Sequence, residues 1–289
     1  MKITTIVLYA TVFGLAARAR AQQQQAPTAR QIIEQIQQHV DVPWRSETVD
    51  TFKAGNPDTP VTGIATTMMA TFDVLKRAAA QHANLIITHE PTFYSHTDIT
   101  KPFEEANDPV WLEKEAFIKE HNLVVWRFHD HWHMHRPDGI LTGMVRALKW
   151  EKYQNPSVPN LFTIPPVTVR DLAKSIQEKI GIRVLRVVGN PELKVTSIAM
   201  SPGAGGEPRH LPVLRRNDVE VLVIGEVPEW ETIEYVSDAA AEGKRKALIL
   251  MGHIPSEQAG MKYCAEWLKT FIAGVPVTFV PTAEPFWMP

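Results

Sequence analysis

Short apolar runs alternate with segments of helical periodicity along most of this chain, and this alternation restricts the fold more than any other feature. The runs at 85–88, 123–128 and 219–224 are mostly apolar and too short to be helices. Between such runs, apolar residues recur at helical spacing, as they do over 72–82. Strands that alternate with helices in this way predict an α/β protein.

The predicted elements form two halves, 28–152 and 167–289, separated by a segment at 154–166 that contains four prolines. The predicted helices cover 28–40, 72–82, 108–121, 137–150, 168–180, 231–242 and 257–271, and the predicted strands cover 61–69, 85–88, 123–128, 183–188, 195–200, 219–224, 247–251 and 275–280. NLIITHEP (84–91) and EVLVIGEVP (220–228) share one pattern, in which an apolar strand is followed by Glu and then Pro. This single short match favours two related α/β halves, with chance as the alternative.

The N-terminus has the pattern of a secretory signal peptide. Lys2 precedes a mostly apolar run of fifteen residues at 3–17, and Ala19-Arg20-Ala21 places small residues where a signal peptidase cleaves. A membrane anchor is the alternative, but fifteen residues fall short of the ~20 that span a bilayer. We therefore predict a signal peptide at 1–21, a polar leader at 22–27, and a periplasmic or secreted protein with no membrane attachment after cleavage.

Charge and cysteine content argue against several functional classes. The chain carries 30 basic and 32 acidic residues with no block of one sign, so we expect neither a nucleic-acid partner nor a membrane-binding surface. Cys264 is the only cysteine, which rules out an intramolecular disulfide and argues against a thiolate cage for a metal. We expect a protein that relies on its core for stability and takes a small-molecule substrate.

Polar groups able to bind metals follow three of the predicted strands. His89-Glu90 ends one strand, the segment 129–133 follows another, and His253 lies four residues before Glu257 after a third. In α/β folds, ligands bind beyond the carboxyl ends of the strands, and imidazole together with carboxylate suits Zn, Fe, Mn, Ni or Co. Each group alone also has an ordinary explanation, as a loop residue, a cap or a chance spacing. Together they predict one site, because a divalent cation offsets the cost of burying them.

The stretch FHDHWHMHRPDG (128–139) contains four alternating histidines. It is an exposed turn, a set of metal ligands, or a cluster that titrates near neutral pH. If the strand continues, all four side chains share a face, and if the chain becomes helical, those at 129 and 133 still do. His129 and His133 are therefore the predicted metal-site residues, whereas His131 and His135 are predicted to support the site indirectly or to lie exposed.

Four segments resemble stretches of one known family. ANLIITHEPTFY (83–94) resembles a strand that ends in His-His-Pro, and LMGHIPSEQAGMKYCAEWL (250–268) resembles a C-terminal Gly-His-x-x-Ser-Glu signature. TFKAGNPDTPVTGIATTMMAT (51–71) is similar to an early turn–strand segment, and SPGAGG (201–206) to a glycine loop. Over about residues 30–280, the chain resembles the Nif-three-like dinuclear-metal protein family, the GTP cyclohydrolase I type 2 homologues.

This resemblance implies a two-part α/β fold, often assembled as a toroidal homohexamer, with two divalent metal ions between the halves. Carried across by position, the implied metal ligands are His89, Glu90, His133, His253 and Glu257, with His129 close by. The chain departs from the family pattern twice, because Glu90 replaces a second histidine and His133 replaces an aspartate four residues past a histidine. One change replaces nitrogen with oxygen and the other does the reverse, so the donor set is preserved in total.

The resemblance indicates hydrolysis by metal-activated water. His129 is the predicted catalytic proton shuttle, provided that it does not bind metal. The SPGAGG loop either brings backbone amides to an anionic substrate or is a plain turn, and Glu226 is a weaker candidate for the cleft. We do not expect GTP as the substrate, because exported proteins rarely meet it and no P-loop is evident. The alternatives are a non-catalytic protein that stores or senses metal, and a partner-binding module.

Overall fold

A computed structural model describes residues 26–289, and the predicted signal peptide and most of the predicted leader lie outside this range. The described residues form a mixed α/β structure with two five-stranded sheets. The helices are α1 (Ala29–His39), α2 (Phe72–Ala80), α3 (Lys101–Glu105), α4 (Pro109–Glu120), α5 (Asp130–Met134), α6 (Gly139–Leu148), α7 (Val169–Ile180), α8 (Gly206–Leu214), α9 (Glu234–Ala241) and α10 (His253–Leu268). The strands are β1 (Phe52–Ala54), β2 (Ile64–Thr67), β3 (Leu85–Thr88), β4 (Val124–Arg127), β5 (Leu161–Thr168), β6 (Arg186–Val188), β7 (Lys194–Ser201), β8 (Val221–Ile224), β9 (Ala247–Leu250) and β10 (Val277–Phe279).

The first sheet has the strand order β1-β4-β3-β2-β10, and all its pairings are parallel except that of β1 with β4. Every residue of β2, β3 and β4 is buried, which explains why these strands lack apolar–polar alternation: helices cover both faces of the sheet. β10 comes from the range predicted for the C-terminal half, yet it pairs with β2 in this sheet. The residues after 167 are thus divided between the two sheets.

The second sheet has the order β5-β7-β8-β9-β6, with a parallel centre and an antiparallel strand at each edge. β5 runs through part of the proline-rich segment that was predicted only to separate the halves. Proline lacks the N–H that a central strand needs, so it is tolerated in an edge strand or at an irregularity. Both conditions hold here, because β5 is an edge strand and its register with β7 shifts between Thr163 and Val167.

The two similar sequence stretches occupy equivalent places. The apolar part of NLIITHEP forms β3, and that of EVLVIGEVP forms β8. Each is the middle strand of its five-stranded sheet and is paired in parallel on both sides. The strand–Glu–Pro pattern therefore marks the centre of each sheet.

Helix starts follow from capping residues in the sequence. The Thr28 hydroxyl oxygen accepts a hydrogen bond from the backbone N–H of Gln31, and the backbone N–H of Thr28 donates to the Gln31 side chain, which completes the capping box of α1. Thr168 caps α7 in the same position, and Asp108 caps α4 with proline at its first residue.

Helices α6 and α10 pack against each other and contribute to the cores of both sheets. Ile140 of α6 and Met261 of α10 lie in the core of the first sheet, whereas Met144 of α6 lies in that of the second. A Cβ on Gly143 would lie 2.3 Å from the backbone oxygen of Ala259, so only glycine permits this approach. The pair ties the two sheets together, and α10 also carries two predicted metal ligands. No helix in the range 26–289 has the length and apolar character needed to cross a membrane.

Candidate metal centre

The carboxyl ends of strands from both sheets meet at one pocket. His89 and Glu90 directly follow β3, and His129 lies two residues after the end of β4 at Arg127. From the second sheet, β9 leads into α10, which begins at His253 and places Glu257 one turn further on. Chain segments far apart in sequence are thereby brought together, as the strand-end prediction required.

The histidine stretch becomes helical, which was one of its two predicted conformations. His129 precedes the short helix α5 and His133 lies within it, so their rings share a side with centroids 5.0 Å apart. The His89 ring lies 4.6 Å from that of His129 and 5.0 Å from that of His133. These three imidazoles form one cluster.

The side chains of Glu257 and Glu90 lie close to the Nε2 atoms of four histidines. Glu257 has Oε2 at 3.2 Å from His253 and 3.6 Å from His89, and its Oε1 is 3.8 Å from His133. Glu90 has Oε1 at 3.3 Å from His253 and 3.6 Å from His129. Two groups have ligand atoms within 4.8 Å of one another: His89 with His129 and His133, and His89 with Glu90 and Glu257. All six predicted residues therefore face the same space.

Each of the four histidines has its Nδ1 atom held by an acceptor. His89 donates to the carbonyl of Phe128 at 3.1 Å, and the other three donate to carboxylates. The carboxylate pairs are His129 with Asp130 at 2.9 Å, His133 with Asp138 at 3.1 Å, and His253 with Glu226 at 2.9 Å. Because Nδ1 carries the proton, the Nε2 lone pair of each neutral ring points into the pocket, which is how metal-binding histidines are oriented in proteins.

The residues fit a metal ion on several counts. His89 Nε2 and Glu257 Oε2 are buried atoms without a hydrogen-bond partner, so each would be left unsatisfied without a cation. The nitrogen–oxygen distances of 3.2–3.8 Å are close to the ~3.4 Å between neighbouring ligands of a tetrahedral ion at ~2.1 Å. A Cβ on Gly203 would lie 2.4 Å from Glu257 Oε1, so the glycine loop leaves room for this carboxylate. The site is a candidate metal-binding His/Glu cluster.

The histidines of this cluster differ in the direction of their pKa shifts. Burial lowers the pKa of His89 well below its ordinary value, and the neighbouring His129 and His133 lower it further. Burial also lowers the pKa of His253, but its hydrogen bond to Glu226 and the close carboxylates of Glu257 and Glu90 outweigh this and raise the pKa to about 12. A proton on His253 and a cation in the pocket would occupy the same electrostatic position, so a metal ion bound here would displace that proton.

His131 and His135 do not face this pocket, and because both are buried, exposure, one of their two predicted alternatives, is wrong, whereas indirect support of the site stays a prediction. His131 is fully buried, donates from Nδ1 to Asp50 at 2.7 Å, and accepts the backbone N–H of Arg45 at Nε2. His135 is also buried and donates to the carbonyl of Val40. Both rings lie away from the side shared by His129 and His133, as the helical geometry of α5 requires, and the Asp50 side chain that binds His131 also accepts the backbone N–H of His129.

Three carboxylates that orient the histidines were not recognised as such from the sequence. Asp130 and Asp138 flank the histidines in the chain, and that proximity was the available signal. Glu226 was only a weak candidate for the cleft. Its contact with His253 joins the ends of β8 and β9, and no spacing within a short stretch of sequence predicts such a contact. The SPGAGG loop contributes a backbone N–H from Gly203 to Ser256 Oγ and then leads into α8.

Comparison with known proteins identifies the family. The sequence profile described as Duf34/NIF3 (NGG1p interacting factor 3) matches residues 27–285. The chain belongs to the DUF34/NIF3 family. Two curated relatives are both called GTP cyclohydrolase 1 type 2 homolog: one from Chlamydia pneumoniae is 25% identical over 242 residues, covering 81% of this chain and 89% of the relative. The other, from Clostridium acetobutylicum, is 24% identical over 214 residues, covering 70% and 75%.

Two solved structures share the fold of this chain. A Staphylococcus aureus hypothetical protein superposes with a TM-score of 0.71 at 17% identity, covering 91% of this chain and 99% of that one. A Bacillus cereus protein related to NIF3 gives a TM-score of 0.69 at 12% identity, covering 91% and 99%. The predicted fold class and family are thus confirmed.

Glu226→Gln is expected to weaken metal binding about tenfold to a hundredfold in this DUF34/NIF3 protein. The substitution removes the charge that orients His253, and loss of such a supporting partner has an effect of about this size. Titration with zinc against a competing chelator measures the change. Glu229→Gln is the matched control, because Glu229 pairs on the surface with Arg186 and should not alter the affinity. An unchanged affinity in Glu226→Gln would contradict the orienting role.

Proposed function

We propose that this protein is an exported, metal-dependent hydrolase that holds two divalent cations. The ions, drawn from Zn, Fe, Mn, Ni or Co, would be bound by His89, Glu90, His133, His253 and Glu257. The observation that carries the proposal is the convergence of four Nε2 atoms on two carboxylates, with every Nδ1 already satisfied. Such an arrangement is difficult to stabilise without cations.

Two overlapping groups of donors support a pair of ions. One contains His129 and His133, the other contains Glu90 and Glu257, and both include His89. His253 lies between the two carboxylates, within 3.3 Å of each. Each imidazole offers a single Nε2 lone pair and would bind one ion, so a pair of ions would need several imidazoles together with the carboxylates, and both are present here.

The chemistry proposed for the site is hydrolysis. Two divalent ions, when bound, lower the pKa of water and stabilise negative charge on attacking and leaving oxygens. The protein's own groups orient the reactants and move protons. His129 suits the shuttle role because its side chain is 21% exposed while Asp130 holds its Nδ1. Asp130 is itself fixed by hydrogen bonds from the Thr48 hydroxyl and the backbone N–H of Val49.

Access to solvent favours catalysis over metal storage. The side chains of His133 and His253 are 31% and 19% exposed, so one side of the cluster is open. A cavity of about 950 Å³, lined by α6 and by residues of the second sheet, reaches His133, and its volume suits a small molecule. A storage site would instead enclose its ions in protein ligands on all sides.

The substrate is proposed as a small molecule outside the GTP class. The curated relatives carry the words GTP cyclohydrolase 1 type 2 homolog, which supports a cyclohydrolase-like reaction for this chain. GTP itself fits poorly with export. Two accompanying proposals, cleavage after residue 21 and assembly as a homohexamer, are testable by N-terminal sequencing of the exported protein and by light scattering.

A His129→Gln variant is expected to keep its metal and to lose at least about a hundredfold in turnover. The five proposed ligands remain, while the group that moves the proton is absent. Elemental analysis of protein purified without chelators gives the metal per chain, and a panel of nucleotide, phosphoester and cyclic amide substrates gives turnover. His121→Gln, at the exposed end of α4, serves as the control. Metal absent from the native protein would refute the proposal, and metal lost from His129→Gln would make His129 a ligand.

A further inference from the structure

A second cavity adjoins the metal centre on the side of Glu90. Its volume is about 430 Å³, and it is lined by Glu90, by the loop after β3, by the start of α2 and by Lys114 of α4. Glu90 separates the two spaces: Oε1 faces the imidazoles, and Oε2 accepts a hydrogen bond from Arg127 at 3.1 Å. His96 also lines the cavity, with its ring 6.3 Å from that of His129. A molecule in this cavity would therefore reach the edge of the proposed catalytic site.

Lys114 is a buried cation without a carboxylate partner. Only 4% of the residue is exposed, and Nζ donates to the carbonyl of Thr92 at 2.6 Å. Within residues 26–289, no Asp or Glu oxygen lies within 4.0 Å of this ammonium. The rings of Phe93 and Tyr94 lie 5.6 and 5.3 Å away and offset part of the cost. Burial lowers the pKa of Lys114 to about 8, which shows how poorly its charge is compensated.

The carboxylates of Asp98 and Glu90, which lie near Lys114, already form ion pairs with other residues. Asp98 lies 3.5 Å from Lys53 and 3.9 Å from Arg127, and its Oδ1 accepts the backbone N–H groups of Thr92 and Phe93. Glu90 is shared between Arg127 and two histidines. Asp98 and Glu90 thus pair with other cations, and Glu115, the other carboxylate near Lys114, forms no ion pair with it, so the Lys114 ammonium lacks a carboxylate contact of its own. A buried ammonium without such a contact is costly unless another anion balances it.

Two further groups at this cavity favour an anion. The Thr92 hydroxyl is buried without a hydrogen-bond partner, so it has a donor to offer. Thr71 and Phe72, at the N-terminus of the nine-residue helix α2, line the cavity, and the helix dipole is positive at that end. The three groups that favour an anion therefore come from three different elements: α4, the loop after β3, and α2.

We propose that this cavity binds an anionic oxygen group, a phosphate or a carboxylate, of the molecule whose reacting bond lies at the metal centre, and that Lys114 recognises it. The inference rests on the proposed hydrolase function and narrows its substrate class to anionic molecules. Glu90 forms the wall between the two sites, so the anionic group and the reacting bond belong to neighbouring parts of one small molecule.

The test measures binding of inorganic phosphate and of acetate to the full mature protein by calorimetry. Lys114→Met keeps the length of the side chain and removes the charge, so the dissociation constant is expected to rise at least about tenfold, the usual effect of losing a charged hydrogen-bond donor. Lys119→Met is the matched control, because Lys119 is an exposed residue of the same helix. Preference for phosphate or for acetate identifies the group.

Anion binding is also measured in a His253→Ala variant, so that failure of the Lys114 site can be distinguished from failure of the proposed metal site. Anion binding that survives in His253→Ala and falls in Lys114→Met supports the Lys114 site, whatever the metal content proves to be. Binding that falls in His253→Ala and persists in Lys114→Met places the anion on the metals and overturns the proposal. Absence of binding to the native protein below ~10 mM also overturns it.

Thermal melting establishes whether Lys114→Met folds. If it does not, the native protein decides the question through amine acylation followed by mass spectrometry. Phosphate or acetate that protects Lys114 and leaves Lys119 reactive supports the site. Equal labelling of Lys114 with and without the anions refutes it.

Discussion

Glu257→Gln is expected to leave the purified protein with less than about one tenth of the native metal content. Loss of a group that merely supports a ligand weakens metal binding about tenfold to a hundredfold, so loss of a proposed ligand should exceed that. Both oxygens of Glu257 take part, because they face His89, His133 and His253. Glutamine has the same shape but lacks the charge that balances a divalent ion. Elemental analysis of native and variant protein, purified side by side, measures the effect.

The control for this variant lies on the same helix. Glu266 is exposed and pairs with Arg146 at 3.5 Å, so Glu266→Gln should retain the native metal content. Thermal melting of both variants shows whether either loses its fold. A folded Glu257→Gln protein with native metal would mean that the carboxylate is no ligand and that the cluster binds ions without it.

Arg127→Met is expected to lower the free energy of unfolding by about 3–5 kcal/mol, the range for breaking a buried ion pair by removing one partner. Arg127 is fully buried at the end of β4, and its guanidinium donates to the carbonyls of His89 and His96 and to Glu90. Methionine fills much of the space but leaves Glu90 and Asp98 with one cation fewer. Urea denaturation followed by circular dichroism gives the change.

Arg170→Met is the matched comparison for this stability effect. Arg170 donates two hydrogen bonds to Glu192, at 3.0 and 2.9 Å, but the pair lies on the surface with both side chains more than half exposed. Solvent screens such a pair, so the substitution should change stability far less. If the two variants lost stability equally, burial of Arg127 would not be what makes its contacts important.

The sequence predicted the parts of the site that depend on local order. Apolar runs ending in His89 and at Phe128 identified strand ends, and the spacing of His129 and His133 placed both rings on one side in either conformation. The contacts of Glu226 and Lys114 could not be predicted from local sequence order. Glu226 meets a histidine 27 residues away through the second sheet, and the lysine of α4 becomes important only where that helix covers the loop after β3.

For the fold, too, the sequence predicted the local elements but not the long-range strand pairings. Buried central strands and capped helices follow from composition and periodicity, which are local properties. The edge strand β5 was missed because its prolines normally exclude a strand, and only its edge position and irregular register make them acceptable. The pairing of β10 with β2 joins residues more than 200 positions apart, and no short pattern encodes such a partner.

The pairing of β10 with β2 has a consequence for the order of assembly. While the polypeptide is being synthesised, the first four strands of that sheet emerge long before the fifth, and α10 emerges just ahead of it. A nascent chain that stops before residue 253 lacks His253 and Glu257 and also has an unpaired edge on β2. The proposed metal site is therefore incomplete until synthesis has passed this point, and an incomplete product is expected to lack it.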